Sequence, residues 1–175
     1  MNSPSPAESS KASTILKSQG VAIMIATLRW VTIFLSVVIA ITERSGENLT
    51  PLYAATLVLS LNAAVRTFYP VPLQGTLLER YLNITFDVVS LLCAISLTNQ
   101  WTSPFVLVAI PILIVIGLSS GIVAPIVVTA IITASISALE IAVATERTSN
   151  QSMIQNTLVL LVSGVIGAVM RVFAK

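Results

Sequence analysis

Histidine is absent from this chain of 175 residues, and cysteine occurs once. The first absence removes histidine-ligated haem, histidine-containing zinc sites, histidine general bases and a phosphoacceptor histidine. The second removes any intrachain disulfide. Cys93 lies inside an apolar run, where a small buried hydrophobe is its simplest reading. Charge is also scarce: 9% of the residues are Asp, Glu, Lys or Arg, and the net charge is +2. No basic cluster interleaved with aromatics is present, which argues against nucleic-acid binding. No phosphate-binding glycine loop, metal-ligand cluster or nucleophile–base pair is visible either.

What fills the chain instead is apolar sequence. The hydrophobic fraction is 55%, and the mean hydropathy is +0.96. A spanning helix needs about 20 mostly apolar residues to cross a hydrocarbon core of roughly 30 Å. Six stretches approach that length: 22–42, 52–69, 78–98, 104–118, 122–145 and 153–173. Such runs are read as helices because an unpaired strand edge cannot sit in lipid. The expected fold class is therefore all-α, a polytopic membrane protein built as a bundle of six transmembrane helices. Residues 1–20 are polar and rich in Ser and Pro, and are expected to be a disordered tail. Residues 21–175 form the expected six-helix transmembrane domain. The first apolar run is too long for a cleavable signal peptide and is followed by no small-residue cleavage site.

Positive charge orients the spans. With the N-terminus inside, the cytoplasmic side carries Lys11, Lys17, Arg66, Arg80, Arg171 and Lys175, with Arg29 close to that face. The outer side carries Arg44 and Arg147. This asymmetry predicts that both termini are cytoplasmic, with the chain in a cell (inner) membrane. The inner connections are then residues 70–76 and the tight Ser119-Ser120-Gly121 turn. Asn48-Leu49-Thr50 matches a glycosylation sequon on the outer side, and in so short a loop it reads as chance.

Ionisable groups inside a membrane are costly, so they lead the search for chemistry. Arg29 and Asp87 each lie a similar distance into helices that enter from the cytoplasm, so they should share a depth. A pair between them would relieve the burial of both; so would Arg29 snorkelling to headgroups beside an interfacial Trp30. A structural or topological role outweighs a proton or ligand site. Asn83 precedes Asp87 by four residues and shares its face, as Asn62 does with Arg66. Interhelical hydrogen bonds account for these asparagines as well as any ligand does. Glu140, with Ser137 and Thr133 on its side, makes a polar stripe toward the outer end of the fifth span. The stripe either lines a small polar cavity or lets helices approach closely. Ser163, Gly164, Gly167 and Ala168 supply two small-xxx-small pairs, a spacing that favours tight helix packing, including packing between protomers. Pro111, in mid-span, should kink the fourth helix.

The segment Asn99-Gln100-Trp101-Thr102-Ser103-Pro104-Phe105 is the most distinctive short stretch. It reads as an aromatic-belt anchor followed by a helix start, with Ser103 as cap and Pro104 at the first position. The sharper reading is a shallow ligand pocket, in which Trp101, Ser103, Pro104 and Phe105 offer stacking and hydrogen bonds to an amphiphile such as a quinone headgroup. The residues alone imply no cofactor.

With Leu28-Arg29-Trp30 opening the first span, Arg66 closing the second, Asp87 in the third and Trp101–Phe105 leading into the fourth, the chain resembles the membrane sensor region of bacterial histidine kinases. The likeness is to the six-span, redox-sensing group of RegB/PrrB type. Those kinases carry a GGxxNPF pattern between spans three and four that is implicated in quinone sensing. Asn99 and Gln100 stand where its glycines would be, Ser103 stands at its Asn, and Pro104 and Phe105 match. The resemblance implies a membrane-embedded signal-input domain of a two-component system, relaying a membrane-soluble or interfacial cue by helix rearrangement. A kinase would continue into a phosphoacceptor helix and an ATP-binding domain. This chain has no histidine and no such domain, so it is expected not to be an enzyme. Expected partners are the lipid bilayer, a second copy of the chain and a cytoplasmic kinase or regulator, with no nucleic acid. Two other classes stay open: a substrate-binding membrane subunit of a vitamin-type importer, and an accessory subunit of a membrane complex.

Overall fold

The computed structural model describes residues 6–43, 49–69, 76–98, 100–143 and 150–173. In chain order they form α1 (Pro6–Glu43), α2 (Thr50–Phe68), α3 (Leu77–Leu97), α4 (Ala109–Ser120), α5 (Val123–Val143) and α6 (Asn150–Phe173). Two 3-10 helices, Gln100–Thr102 and Pro104–Val108, connect α3 to α4. No strand occurs among the described residues. Among the described residues, four segments are long and apolar enough to cross a membrane: Gly20–Thr42, Leu77–Leu97, Val123–Ala142 and Gln151–Met170. Pro104–Ser120 is a shorter apolar helical segment. By length and composition these helices are compatible with a multi-pass membrane protein.

Helix ends follow local chemistry. The first helix begins at Pro6, inside the segment expected to be an irregular tail, so its polar first turns are helical. A capping box opens α3: the Thr76 hydroxyl accepts from Glu79 N, and the Glu79 carboxylate accepts from Thr76 N. Between α4 and α5 the chain reverses at Gly121, whose φ of 97° is the left-handed region that only glycine enters freely. Its N–H donates to Gly117 O at 3.3 Å, closing the expected Ser-Ser-Gly turn. The expected kink at Pro111 is not a kink within a longer α-helix. The segment from Pro104 to Val108 winds as a 3-10 helix, and Pro111 falls in the first turn of α4. A first-turn proline removes an N–H that has no intrahelical partner to lose.

The bundle is apolar outside as well as inside. Phe34, Leu57, Leu61, Leu82, Ile126, Ile131, Leu158 and Val165 are all exposed. Patches of this extent belong in contact with lipid or protein. By contrast, α4 is enclosed: from Pro111 through Ser119 every residue is buried. It is hydrophobic on every side because every side meets another helix. Its closest neighbour is α6. A Cβ placed on Gly117 would overlap the backbone carbonyl of Gly167, and one placed on Gly167 would overlap that of Leu113. Gly164 faces the Thr129 side chain of α5 in the same way. The small-residue pairs of α6 are thus used for contact within the chain, where close approach gains dispersion and packing that lipid tails cannot replace.

Gly117→Ala is therefore expected to destabilise the bundle by about 1–3 kcal/mol, as overpacking does elsewhere. Gly20, with nothing within 4 Å of its Cβ position, is the control. Gly20→Ala should be neutral or stabilising by up to about 1 kcal/mol, since alanine is the better helix former. Unfolding in detergent, followed by circular dichroism, checks both.

Candidate functional site: a buried arginine–aspartate cluster

Six polar side chains from α1, α2 and α3 meet where an all-apolar interface would be expected. Asp87, on α3 and 2% exposed, is the centre. Arg29 on α1 donates from Nη2 to Asp87 Oδ2 at 2.8 Å and from Nη1 to Oδ1 at 3.4 Å, a two-pronged contact. Arg66 on α2 donates from Nε to Oδ1 at 2.8 Å. Both guanidiniums are buried. Asn62 accepts from Arg29 Nη1 and donates to Asp87 Oδ1 and Ser90 Oγ, each at 3.2 Å. Asn83 holds the far side of Arg66, accepting from Nη1 through its side chain at 2.6 Å and from Nη2 through its backbone carbonyl at 2.8 Å. The Arg66 guanidinium also lies 5.3 Å from the centroid of the Phe86 ring, a cation–π distance.

Helical spacing builds this cluster. Asn62 and Arg66 are four residues apart on α2, and so are Asn83 and Asp87 on α3, so each pair projects from one face. Antiparallel packing of α2 on α3 brings the two faces together, and α1 closes the third side. Arg29 and Asp87, expected at one depth, are in contact, and Asn83 joins them through Arg66. Arg66 itself was read as a juxtamembrane charge. Its role as second partner of Asp87 was missed, though the four-residue spacings are the signal that points to it. Trp30 stays at the surface beside the cluster, and its indole N–H donates to Thr67 Oγ1 at 3.3 Å.

Glu140 is not part of this group. At 1.5 Å per residue it stands about 25 Å along α5 from Val123, whereas Asp87 stands about 15 Å along α3 from Leu77. The starts of those two helices lie at one end of the bundle, as the bond from Arg80 Nη1 to Ser119 O (2.9 Å) requires. Glu140 is half-buried near the other end.

The Trp101–Phe105 segment is more deeply buried than either of its expected roles calls for. Trp101 is 1% exposed, and Phe105 and Ser103 are fully buried. Trp101 is therefore a core residue and not a belt anchor, and neither ring presents the open face on which a quinone headgroup would stack. The capping expectation holds: Ser103 Oγ accepts from Phe105 N at 3.3 Å, with Pro104 at the helix start. Ser103 also shares a 2.6 Å hydrogen bond with Thr98, Ser36 on α1 donates to Pro104 O at 3.0 Å, and Asn156 on α6 donates to Trp101 O. These polar bonds tie the connection to three helices. Asn99 and the sequon residue Asn48 lie outside the described residues, as do Arg44, Arg147 and Lys175.

Chemically, the cluster holds two cations and one anion with most of their hydrogen-bonding capacity engaged. Removing the anion would leave both guanidiniums buried without a counter-charge. Asp87→Ala is expected to lose about 3–5 kcal/mol of stability. Asp87→Asn, which keeps an acceptor, should lose less. Denaturant titration of the three proteins in one detergent measures the difference.

Comparisons with protein families, with curated proteins and with solved structures find no match to this chain, so the cluster's role is argued from its own chemistry.

Proposed function

We propose that this chain is a membrane-embedded signal-input domain of the kind found in two-component sensors. In this reading it crosses a bacterial inner membrane six times with both termini cytoplasmic. It pairs with a second copy and passes a membrane-soluble or interfacial cue to a cytoplasmic kinase or regulator by a shift in helix packing. No catalytic step is assigned to it.

One observation carries the reading. Asp87 is held at 2.8 Å both by Arg29 on α1 and by Arg66 on α2. A carboxylate shared by two cations on different helices can strengthen one contact as the other weakens. Such an exchange has discrete end states, which is what a relay by helix movement needs. The apolar contacts around it have no comparable alternatives.

Two features support the six-span form. On α2 the polar Asn62 and Arg66 turn inward while Tyr53, Leu57 and Leu61 are exposed, so its outer face is apolar despite its composition. The short Pro104–Ser120 segment is enclosed by other helices and need not meet lipid along its length. Orientation rests on Arg66 and Arg80, which lie where α2 ends and α3 begins, the positive side of the bundle. The filled interior at Trp101 and Phe105 weighs against the importer-subunit alternative, which needs room for a ligand.

The topology is tested by single cysteines in a Cys93→Ser background. Ser3→Cys and Ala174→Cys should react with a membrane-impermeant maleimide only after the cells are permeabilised, whereas Ser45→Cys and Ser149→Cys should react in intact cells. Signalling is tested by joining an autokinase core after Lys175. Its output should change with the lipid or quinone composition of the membrane, and Asp87→Asn should hold it at one level while the protein still inserts. Constant output from both proteins would sink the signalling reading.

A further inference from the structure

The cluster on α1–α3 is charge-imbalanced: Arg29 and Arg66 face one carboxylate, Asp87. A net positive charge buried among apolar helices is costly unless an anion lies close by. Among the described side chains outside the cluster, no carboxylate lies at hand to supply it. Of seven acidic residues, Glu79 is committed to its capping box at the exposed start of α3, and Glu140 stands near the other end of the bundle. Glu8 and Glu43 share a helix with Arg29 but lie roughly 30 Å and 20 Å from it by helical rise. Glu47 and Glu146 lie outside the described residues. One donor is also left over: Arg29 Nε is buried and finds no hydrogen-bond acceptor among the described residues.

The cluster has one flank toward the membrane. Arg66 lies in the last turn of α2, close to where the chain leaves the bundle. Its outer partner Asn83 is only half-buried, and Phe86 beside it is exposed, as are Leu82 and Phe68. A charged group approaching there would meet a guanidinium whose nitrogens each make one hydrogen bond already, with one further N–H left on Nη1 and one on Nη2, while its apolar tail would lie along the exposed side chains. Guanidinium favours oxyanions of phosphate or carboxylate type, which it engages through paired N–H groups.

We infer that the α2–α3 flank at Arg66 and Asn83 is a binding site for the oxyanionic headgroup of a membrane lipid, which supplies the negative charge that Arg29, Arg66 and Asp87 lack among themselves. The inference does not rest on the sensor reading; it would hold equally for a bundle with another task.

The test uses the full chain in mixed micelles with equimolar phosphatidylglycerol and phosphatidylcholine, followed by native mass spectrometry of the retained lipid. Phosphatidylglycerol should be enriched about five-fold, the value of one favourable charge contact near a headgroup. Asn83→Asp is the decisive variant. It adds the missing negative charge, keeps the acceptor for Arg66 Nη1, and should remove the enrichment while the unfolding midpoint holds or rises. Arg66→Gln should remove it too. Arg80→Gln, at the same end but outside the cluster, should retain it. Equal retention of both lipids by the native chain overturns the site, as does enrichment that survives Asn83→Asp. Loss in Arg80→Gln as large as in Arg66→Gln would also overturn it, by assigning the effect to the positive end in general. If inorganic phosphate raises the unfolding midpoint of the native chain in phosphatidylcholine but not that of Asn83→Asp, the ligand is a free oxyanion and the lipid assignment fails.

Discussion

A single carboxylate shared by two guanidiniums organises the first half of this bundle. In lipid, helices gain little from burying leucine against leucine, because the tails they displace are equally apolar. What holds α1, α2 and α3 in one arrangement is therefore what lipid cannot replace. Asp87 accepts from Arg29 and Arg66, and Asn62 and Asn83 each accept a further bond from one of the arginines. Each of these groups would be expensive alone in hydrocarbon. Together they specify which faces meet and at what height, since a shift of one turn would separate every pair at once.

The second half uses a different device for the same purpose. Around α4 the helices approach until backbone meets backbone, and Gly117 and Gly167 permit it by having no side chain. The enclosed helix is then covered on every side. At the end opposite the charge cluster, hydroxyl and amide groups from Ser36, Thr98, Ser103 and Asn156 bind the connection between α3 and α4. One end of the bundle is thus tied by charge and the other by neutral hydrogen bonds. The charged end has an exchangeable centre and a half-open flank. The neutral end is filled by Trp101 and Phe105.

Helix positions were largely legible in the sequence because runs of apolar residues bounded by Pro, Gly and polar clusters follow directly from the geometry of a bilayer. The observed α3 and α5 differ from the apolar runs that mark them by only a residue or two at each end. The first helix is the exception: its polar start carries no apolar signal, yet continues the helical backbone. Depth along a helix was legible too, which is why Arg29 and Asp87 could be matched. Arg66 was not matched with them, because a cation two residues from a helix end has an equally good reading as a membrane-surface charge. Trp101 was misread for a related reason. An aromatic beside a connection fits an interfacial belt, and only the way the connection folds inward makes it core.

Composition by itself determined that the chain is helical and apolar enough to belong in a membrane, because each backbone group there must find its partner within its own segment. The four-residue spacings determined which polar residues share a face. Tertiary structure decided which faces meet, which helix is enclosed, and that the small residues of α6 serve contacts inside the chain. It also decided that two arginines share one aspartate. Those outcomes depend on the relative placement of helices far apart in sequence, and no local pattern carries that information.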